Sequence, residues 1–120
     1  MHELSIAQNI LEIIRAQIKG EDLPGIQSVK LRIGTFSGVV PHSLNFCFDA
    51  LVTDTPMRGA RLEIEQMPFT IKCNDCLEQS VEENGIAICP ACGSGSTKII
   101  SGTELEVVEI VLQDEPVEEQ

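Results

Sequence analysis

Four cysteines stand in two close pairs, and their spacing is typical of a single metal site. Two residues separate the cysteines of each pair and twelve separate the pairs, which are Cys73 with Cys76 and Cys89 with Cys92. A Zn²⁺ ion held at about 2.3 Å from four thiolates needs two such tight turns facing each other. Four sulfurs complete a tetrahedral ion and leave no position for a substrate, so the pattern favours a structural zinc over a catalytic one.

Two other assignments use the same four cysteines. Two disulfides would suit an oxidising compartment, to which nothing else in the sequence points. Iron in the same sulfur cage would make a rubredoxin-like electron carrier. The chain has four Phe and no Trp or Tyr, so it offers few aromatic side chains to pack around such a centre. Zinc is therefore the preferred ion, with iron as its rival.

A second group of metal donors stands at the start of the chain, in Met1, His2 and Glu3. A free terminal amine, the backbone nitrogens that follow it and an imidazole at position two can close adjacent chelate rings around one ion. Nitrogen donors in a plane suit Ni(II) or Cu(II). Taken alone this signal is weak, because a histidine at position two usually binds no metal.

Charge and hydropathy narrow the classes of function. The 120 residues carry a formal net charge of −11 with only eight Lys and Arg, and binding to phosphates depends on clustered basic residues, so nucleic acid is excluded as a partner. No apolar segment reaches the length of about 18 residues that spans a bilayer, and the first residues do not resemble a signal peptide. We therefore expect a cytoplasmic protein with reduced cysteines and no membrane partner.

Hydrophobic periodicity predicts the elements that must position these donors. Apolar residues recur at helical spacing over residues 4–19 and again from Pro41 to just before Pro56. Alternating apolar residues predict strands at 29–33, 61–67 and 103–112. The fold class is therefore α+β, a small domain of two helices and a three-stranded sheet with an inserted zinc-ribbon-like domain.

The cysteine segment forms the insertion, since a predicted strand lies on each side of it. We predict a first domain of residues 1–68 plus 102–113, an inserted zinc-binding domain of residues 69–101 and an acidic tail of residues 114–120. The inserted segment has few large apolar residues and cannot bury a core of its own. A structural zinc contributes on the order of 10–16 kcal/mol of folding free energy, which is ample for a hairpin of this size.

Local signals predict where the first helix ends and how the cysteine turns are built. Ser5 with Gln8 fits a capping box at the helix start, and Gly20 fits a cap at its end.

Gly93 gives the second cysteine turn an easy backbone conformation, whereas the first has Leu77 in the place where glycine would fit better. We expect some strain in the first turn. Cys47 lies on the predicted buried face of the second helix and is interpreted as a core residue.

Several segments, taken in order, carry a resemblance to a known family. They are MHELSIA at residues 1–7, LRIG at 31–34 leading into SGVVP at 37–41, and the paired cysteines ending in CPACG at 89–93. Together they resemble the HypA family of hydrogenase-maturation nickel chaperones, and the resemblance covers nearly the whole chain. It implies an α/β nickel-binding domain and an inserted domain with a structural four-cysteine zinc site.

The resemblance also implies which residues hold which metal. Met1 would offer its amine, His2 its imidazole and backbone nitrogen, and Glu3 its backbone nitrogen and an orienting carboxylate. The four paired cysteines would take the zinc. Proteins of this family are not known as enzymes. They are thought to pass nickel, with a nickel-handling GTPase, to the large subunit of NiFe hydrogenase and in some organisms toward urease.

One further function remains open from the residues alone. A zinc-ribbon module that docks on another protein would use the same cysteines and carry no metal cargo. In such a module the residues at the start of the chain would have no role in metal binding, which separates it from a nickel carrier.

Overall fold

The computed structural model describes residues 2–113 of the 120-residue chain. The predicted nickel donor Met1 and the predicted acidic tail at residues 114–120 lie outside the described residues.

The described chain contains two α-helices, one short 3-10 helix and six strands. In order they are α1 (His2–Gln17), a short 3-10 helix (Gly20–Gly25), β1 (Ile26–Gly34), α2 (Pro41–Val52), β2 (Arg61–Met67), β3 (Thr70–Cys73), β4 (Gln79–Val81), β5 (Thr97–Ser101) and β6 (Leu105–Leu112). Both predicted helices and all three predicted strands are present. Strands β3, β4 and β5 lie within the cysteine segment, for which the sequence predicted a hairpin but no defined sheet.

Helix α1 begins earlier than its local signals predicted. It starts at His2, so Ser5 lies inside the helix and the predicted capping box is wrong. Its last backbone bonds end near Ile18, and Gly20 begins the 3-10 helix with no positive φ, so the predicted glycine cap is also wrong. The apolar stripe decided the extent of the helix, because Ala7, Ile10 and Ile14 are at most 3% exposed.

Helix α2 begins where proline is best tolerated. Pro41 occupies the first turn, where a missing N–H costs no intrahelical hydrogen bond. Leu44, Phe48 and Val52 recur at helical spacing and are buried, and α2 contacts α1. Cys47, predicted as a core residue, is only half-buried and carries a free thiol.

The first sheet has three strands in the order β2-β1-β6. At one end of β1 the Gly34 N–H donates to the Glu104 carbonyl, and at its other end the Gly25 carbonyl accepts from Gln113, so β6 runs antiparallel to β1. The Thr35 N–H donates to the Met67 carbonyl, which places the ends of β1 and β2 together and makes these strands parallel. Helix α2 supplies the crossover that a parallel pair requires. The predicted α+β class is confirmed.

A second, smaller sheet holds the strands of the cysteine segment, in the order β4-β3-β5. Strand β3 pairs antiparallel with both neighbours, and Ile71 lies opposite Ser80 on one side and Ile99 on the other. Cys73 ends β3, so the first cysteine pair starts directly from a paired strand. The sheet thereby fixes the position of the first metal turn.

Two glycines allow the backbone to approach itself closely beside this sheet. A Cβ on Gly34 would lie 2.0 Å from the carbonyl carbon of Gly102, which leaves no room for any other residue. Gly102 itself has a φ of +116°, a conformation that L residues with side chains rarely adopt. Phe36 donates its backbone N–H to the Gly102 carbonyl, and its ring packs edge-on against Phe69 at 5.2 Å between centroids.

The described residues divide into two compact units. One comprises residues 2–31, 40–64 and 107–113, and the other comprises residues 32–39 and 65–106. Both predicted domain boundaries, after residues 68 and 101, fall inside the second unit, so the predicted domain limits stay a prediction. Within residues 2–113, no helix is both long and apolar enough to cross a membrane.

Candidate metal centres

The four paired cysteines converge on one point in the second unit. The Sγ atoms of Cys73, Cys76, Cys89 and Cys92 all lie within 4.8 Å of one another. The Cys73–Cys92 and Cys76–Cys89 sulfur pairs are each 3.6 Å apart, and all four thiols are free. A zinc ion with four sulfurs at about 2.3 Å requires sulfurs about 3.8 Å apart. The donor set therefore fits a tetrahedral ion, whereas disulfides at these positions do not occur.

Both cysteine turns have the same backbone design. In the first, the Leu77 N–H donates to the Cys73 carbonyl at 3.1 Å, and in the second the Gly93 N–H donates to the Cys89 carbonyl at 2.8 Å. Leu77 and Gly93 both adopt positive φ, +66° and +77°, and Leu77 is the one non-glycine residue with positive φ among residues 2–113. The strain predicted for the first turn is thus confirmed and lies at Leu77.

Backbone N–H groups stabilise the first sulfur as a thiolate. The N–H groups of Cys76 and Asp75 each point at the Cys73 Sγ from 3.4 Å. The Cys76 N–H is the main reason that the pKa of Cys73 falls to about 7, with the Asp75 N–H adding to it and desolvation opposing it. Cys73 therefore ionises more easily than Cys76 or Cys92 near neutral pH.

Cys92 and Cys76 hold their protons more tightly. The Ser94 N–H lowers the pKa of Cys92, but the adjacent Cys73 sulfur and desolvation outweigh it and raise that pKa to about 12. The Glu78 N–H lowers the pKa of Cys76, yet desolvation and the neighbouring sulfurs raise it on balance. Four sulfurs this close cannot all become thiolates by themselves, because each negative charge disfavours the next. A divalent cation removes that penalty.

The segment around the sulfurs buries few large apolar side chains. Leu77 is 68% exposed, Val81 is 55% exposed, and Ile86 and Ile88 are 49% exposed each. Ile71 of β3 and Phe69 just before it are buried. A bound metal would add to the folding free energy that these two side chains and the backbone ladder of β3 provide.

Hydrogen bonds outside the sulfur cluster join the two cysteine turns. The Ser94 hydroxyl donates to the Asp75 carboxylate at 2.5 Å and accepts from the Ser96 N–H at 3.0 Å. Asn74 contacts Ser96 twice, through its backbone N–H to the carbonyl at 2.9 Å and through its amide to the hydroxyl at 3.3 Å. Partners of this kind orient metal ligands and change metal affinity when they are removed.

The described donors at the start of the chain lie in the first unit. The His2 imidazole is exposed, with 59% of its side chain accessible, and its Nδ1 lies 3.8 Å from the Glu3 carboxylate. The backbone nitrogens of His2 and Glu3 stand in the first turn of α1, where N–H groups have no intrahelical acceptor. Imidazole and amide nitrogens are thus grouped at one helix end.

Glu3 is anchored by the other helix. Its Oε2 accepts a hydrogen bond from the Val40 N–H at 3.1 Å, and its side chain is only 11% exposed. Val40 is the N-cap residue of α2. In a capping box, a glutamate in the first turn of the same helix accepts the hydrogen bond from the N-cap N–H. Here Glu3, from the other helix, accepts it instead. The Val40 N–H is the main reason that the pKa of Glu3 is lowered.

Sequence reasoning located all four sulfurs but missed the residues that support them. Asp75, Ser94 and Ser96 are common polar residues, and the one available signal was their position within or next to the cysteine turns. The role of Val40 was also missed, because a valine N–H carries no sequence signature. Among residues 2–113, the sulfurs are the one group of three or more His, Cys, Asp or Glu side chains placed to hold an ion.

Comparison of the sequence with known families gives one match along nearly the whole chain. A family model described as "Hydrogenase/urease nickel incorporation, metallochaperone, hypA" matches residues 1–112. The chain is 38% identical over 115 residues to the hydrogenase maturation factor HypA of Desulfosudis oleivorans, covering 95% of this chain and 100% of that protein. It is 39% identical over 113 residues to the same factor of Geobacter metallireducens, covering 94% and 100%.

Two solved structures share the fold. The solution structure of a HypA protein superposes with a TM-score of 0.69 at 20% identity, covering 96% of this chain and 98% of that one. The Ni metallochaperone HypA from Helicobacter pylori superposes with a TM-score of 0.63 at 19% identity, covering 94% and 98%. At these identities the similarity concerns the fold alone.

Proposed function

Since the chain belongs to the HypA family of hydrogenase and urease nickel metallochaperones, we propose that it binds Ni(II) through Met1, His2 and Glu3 and delivers it to a nickel enzyme. The client is NiFe hydrogenase and, in some organisms, urease. The four-cysteine site holds a structural Zn²⁺, which cross-links the two cysteine turns when bound. The protein acts as a carrier and not as an enzyme, because four sulfurs leave that ion no position for a substrate.

The exposure of the His2 side chain is the observation that supports the proposal most directly. Its imidazole is accessible to solvent, and its Nδ1 lies 3.8 Å from the Glu3 carboxylate. The backbone nitrogens beside it are free of helix hydrogen bonds, so a metal can compete for them without breaking the α1 ladder. Together with the Met1 amine they form the planar nitrogen set that suits Ni(II).

Glu3 acts in this proposal mainly as a positioning residue. Its carboxylate is committed to the Val40 N–H, so its contribution to nickel is its backbone nitrogen and the orientation of His2. The same hydrogen bond holds the start of α1 against α2. An ion bound there sits on an anchored helix end and not on a free peptide.

In this proposal, delivery depends on the exposure of the donors, of which the His2 side chain is 59% accessible. Nickel held this way can be surrendered one donor at a time to an incoming ligand, which a buried cage would prevent. The receiving partners are a nickel-handling GTPase and the large subunit of NiFe hydrogenase. The free thiols fit a reducing compartment, and we place delivery in the cytoplasm.

Nickel titration of purified protein with an unblocked Met1 amine tests the proposal. We expect one nickel per chain at pH 7.5 and at least tenfold weaker binding at pH 6, because amine, imidazole and amides must lose protons. His2→Ala, or acetylation of the amine, should weaken nickel binding at least a hundredfold. His42→Ala is the matched control, since it removes the other histidine of the chain and should change nothing.

Metal analysis of the same samples separates the alternatives. One zinc per chain in every variant, with nickel lost only from His2→Ala and the acetylated protein, supports the proposal. Zinc with no His2-dependent nickel favours a zinc-ribbon docking module. Iron in place of zinc, visible as strong absorption of the Fe(III) tetrathiolate, favours an electron carrier. Equal nickel affinities at the two pH values would also refute the proposed donor set.

A further inference from the structure

A groove runs along the outer edge of β6 in the first unit. It has a volume of about 490 Å³ and is lined from α1 by Ile13, Gln17 and Ile18 and from β6 by residues 107–110. Successive side chains of a strand point to opposite faces of the sheet. Four consecutive residues of β6 can line one groove only where it follows the edge of the strand.

That edge carries free backbone groups. Strand β6 is the last in the order β2-β1-β6, and within residues 2–113 no strand pairs with its outer side. An eight-residue edge strand presents a row of N–H and C=O groups that can pair with an added strand. Such edges are commonly protected by proline, lysine or bulges, and β6 contains neither proline nor lysine.

Most side chains along the groove are apolar, and some of these are exposed. Ile13 of α1 is 42% exposed and Val108 of β6 is 45% exposed, and Leu112 continues the exposed aliphatic surface at 42%. Side chains of an added strand can therefore gain apolar contacts as well as backbone hydrogen bonds. The groove provides both the pairing edge and the pocket that strand addition uses.

The charge of β6 determines which kind of added strand can bind at this edge. The polar residues of β6 are Glu106 and Glu109, and Glu109 lines the groove with 56% of its side chain exposed although it also pairs with Lys30 at 3.5 Å. The chain has a net charge of −11. A second copy of the chain would bring two more glutamates and the same negative charge to this edge, so self-pairing is opposed and a basic strand is favoured.

We propose that the β6 edge and the groove beside α1 bind an extended, basic, apolar segment of a partner protein, which adds a strand to the sheet. The segment alternates Lys or Arg with aliphatic residues. Its aliphatic side chains enter the groove between Ile13 and Val108, and its basic side chains, on the opposite face of the added strand, meet Glu109. This surface is independent of the nickel donors and of the function proposed for them.

The test uses a labelled eight-residue peptide that alternates lysine and valine, titrated against the full zinc-loaded chain by fluorescence anisotropy. Saturable binding is expected, together with slowed amide exchange at residues 107–110. A peptide that alternates lysine and proline has the same charge but lacks the N–H groups for pairing, and should bind at least tenfold more weakly. A peptide that alternates glutamate and valine should bind at least tenfold more weakly as well.

Protein variants locate the surface. Val108→Lys and Ile13→Lys place a positive charge in the groove from its two sides, and each should weaken binding of the lysine-valine peptide at least tenfold. Val81→Lys is the matched control, because Val81 is 55% exposed on β4 and is not one of the residues that line the groove, and it should leave affinity within twofold. Unchanged zinc content and thermal unfolding show that each variant is folded. The comparisons between peptides use only the wild-type protein, so they test the proposal even if a variant does not fold.

Several outcomes overturn the proposal. If the lysine-proline peptide binds as tightly as the lysine-valine peptide, the interaction is a general attraction between charges and involves no strand pairing. Equal binding of the glutamate-valine peptide, or no saturable binding, would remove the basic segment as occupant. A dimer in sedimentation equilibrium that Val108→Lys dissociates would assign the edge to a second copy of the chain.

Discussion

The carboxylate of Glu3 accepts a hydrogen bond from the backbone N–H of Val40 at 3.1 Å, across 37 positions of sequence. It joins the first turn of α1 to the N-cap of α2 and leaves the neighbouring His2 imidazole exposed. A glutamate beside a predicted nickel donor therefore serves first as a structural anchor.

Replacing Glu3 by glutamine should make stability depend less on pH. The Val40 N–H lowers the pKa of Glu3 below its ordinary value of 4.5, so the carboxylate stabilises the fold above that value. The stabilisation is lost as pH falls through the lower pKa of the folded state. Urea unfolding should show the wild type more stable than Glu3→Gln at pH 7, with a difference that shrinks below about pH 4. Glu12→Gln, at an exposed position of α1, should show no such trend.

Leu77→Gly should stabilise the protein. Leu77 holds a φ of +66°, which costs a residue with a side chain roughly 1 kcal/mol and costs glycine little. The zinc-loaded variant should unfold at higher denaturant concentration, by about 1 kcal/mol in the free energy of unfolding. Leu77→Ala keeps the unfavourable φ and should gain much less. Equal gains for glycine and alanine would trace the effect to the exposed leucine side chain.

Ser94→Ala should loosen the zinc site without removing a ligand. It breaks the 2.5 Å bond to Asp75 and leaves the Ser96 N–H without its acceptor. Loss of such an outer partner typically lowers metal affinity about 10–100-fold. Competition with a chromophoric chelator measures the change. Ser101→Ala, which removes only a bond to the Pro68 carbonyl, is the control and should keep zinc affinity unchanged.

Zinc binding should weaken steeply as pH falls. The pKa values of Cys76 and Cys92 are raised, that of Cys92 to about 12, so at pH 7 the metal must displace a proton from each. The pKa of Cys73 is about 7, so the metal must also displace a proton from part of the Cys73 population. Each displaced proton lowers the apparent association constant about tenfold per pH unit. Between pH 7.5 and 6.5 we expect a loss of at least about a hundredfold in chelator competition. A loss near tenfold would mean that only one thiol is protonated in the free site.

The four-cysteine cluster could be predicted because the signal is local. Each cysteine pair needs only one turn of backbone, and the residue four positions after its first cysteine decides whether that turn is easy, as Gly93 and Leu77 show. The helices and the first sheet followed from periodicity for the same reason, since burial of one face requires a regular spacing. The ends of α1 did not, because its buried stripe overrode the local caps at Ser5 and Gly20.

The sequence by itself determined the elements and the four-cysteine cluster, and it predicted a set of nitrogen donors in the first residues. Only the tertiary structure decided that Glu3 binds Val40, that Asp75 meets Ser94 and that, within residues 2–113, no strand pairs with the outer edge of β6 beside Ile13. The physical reason is distance along the chain. A turn or a helix face depends on near neighbours, whereas these contacts join residues that packing alone brings together.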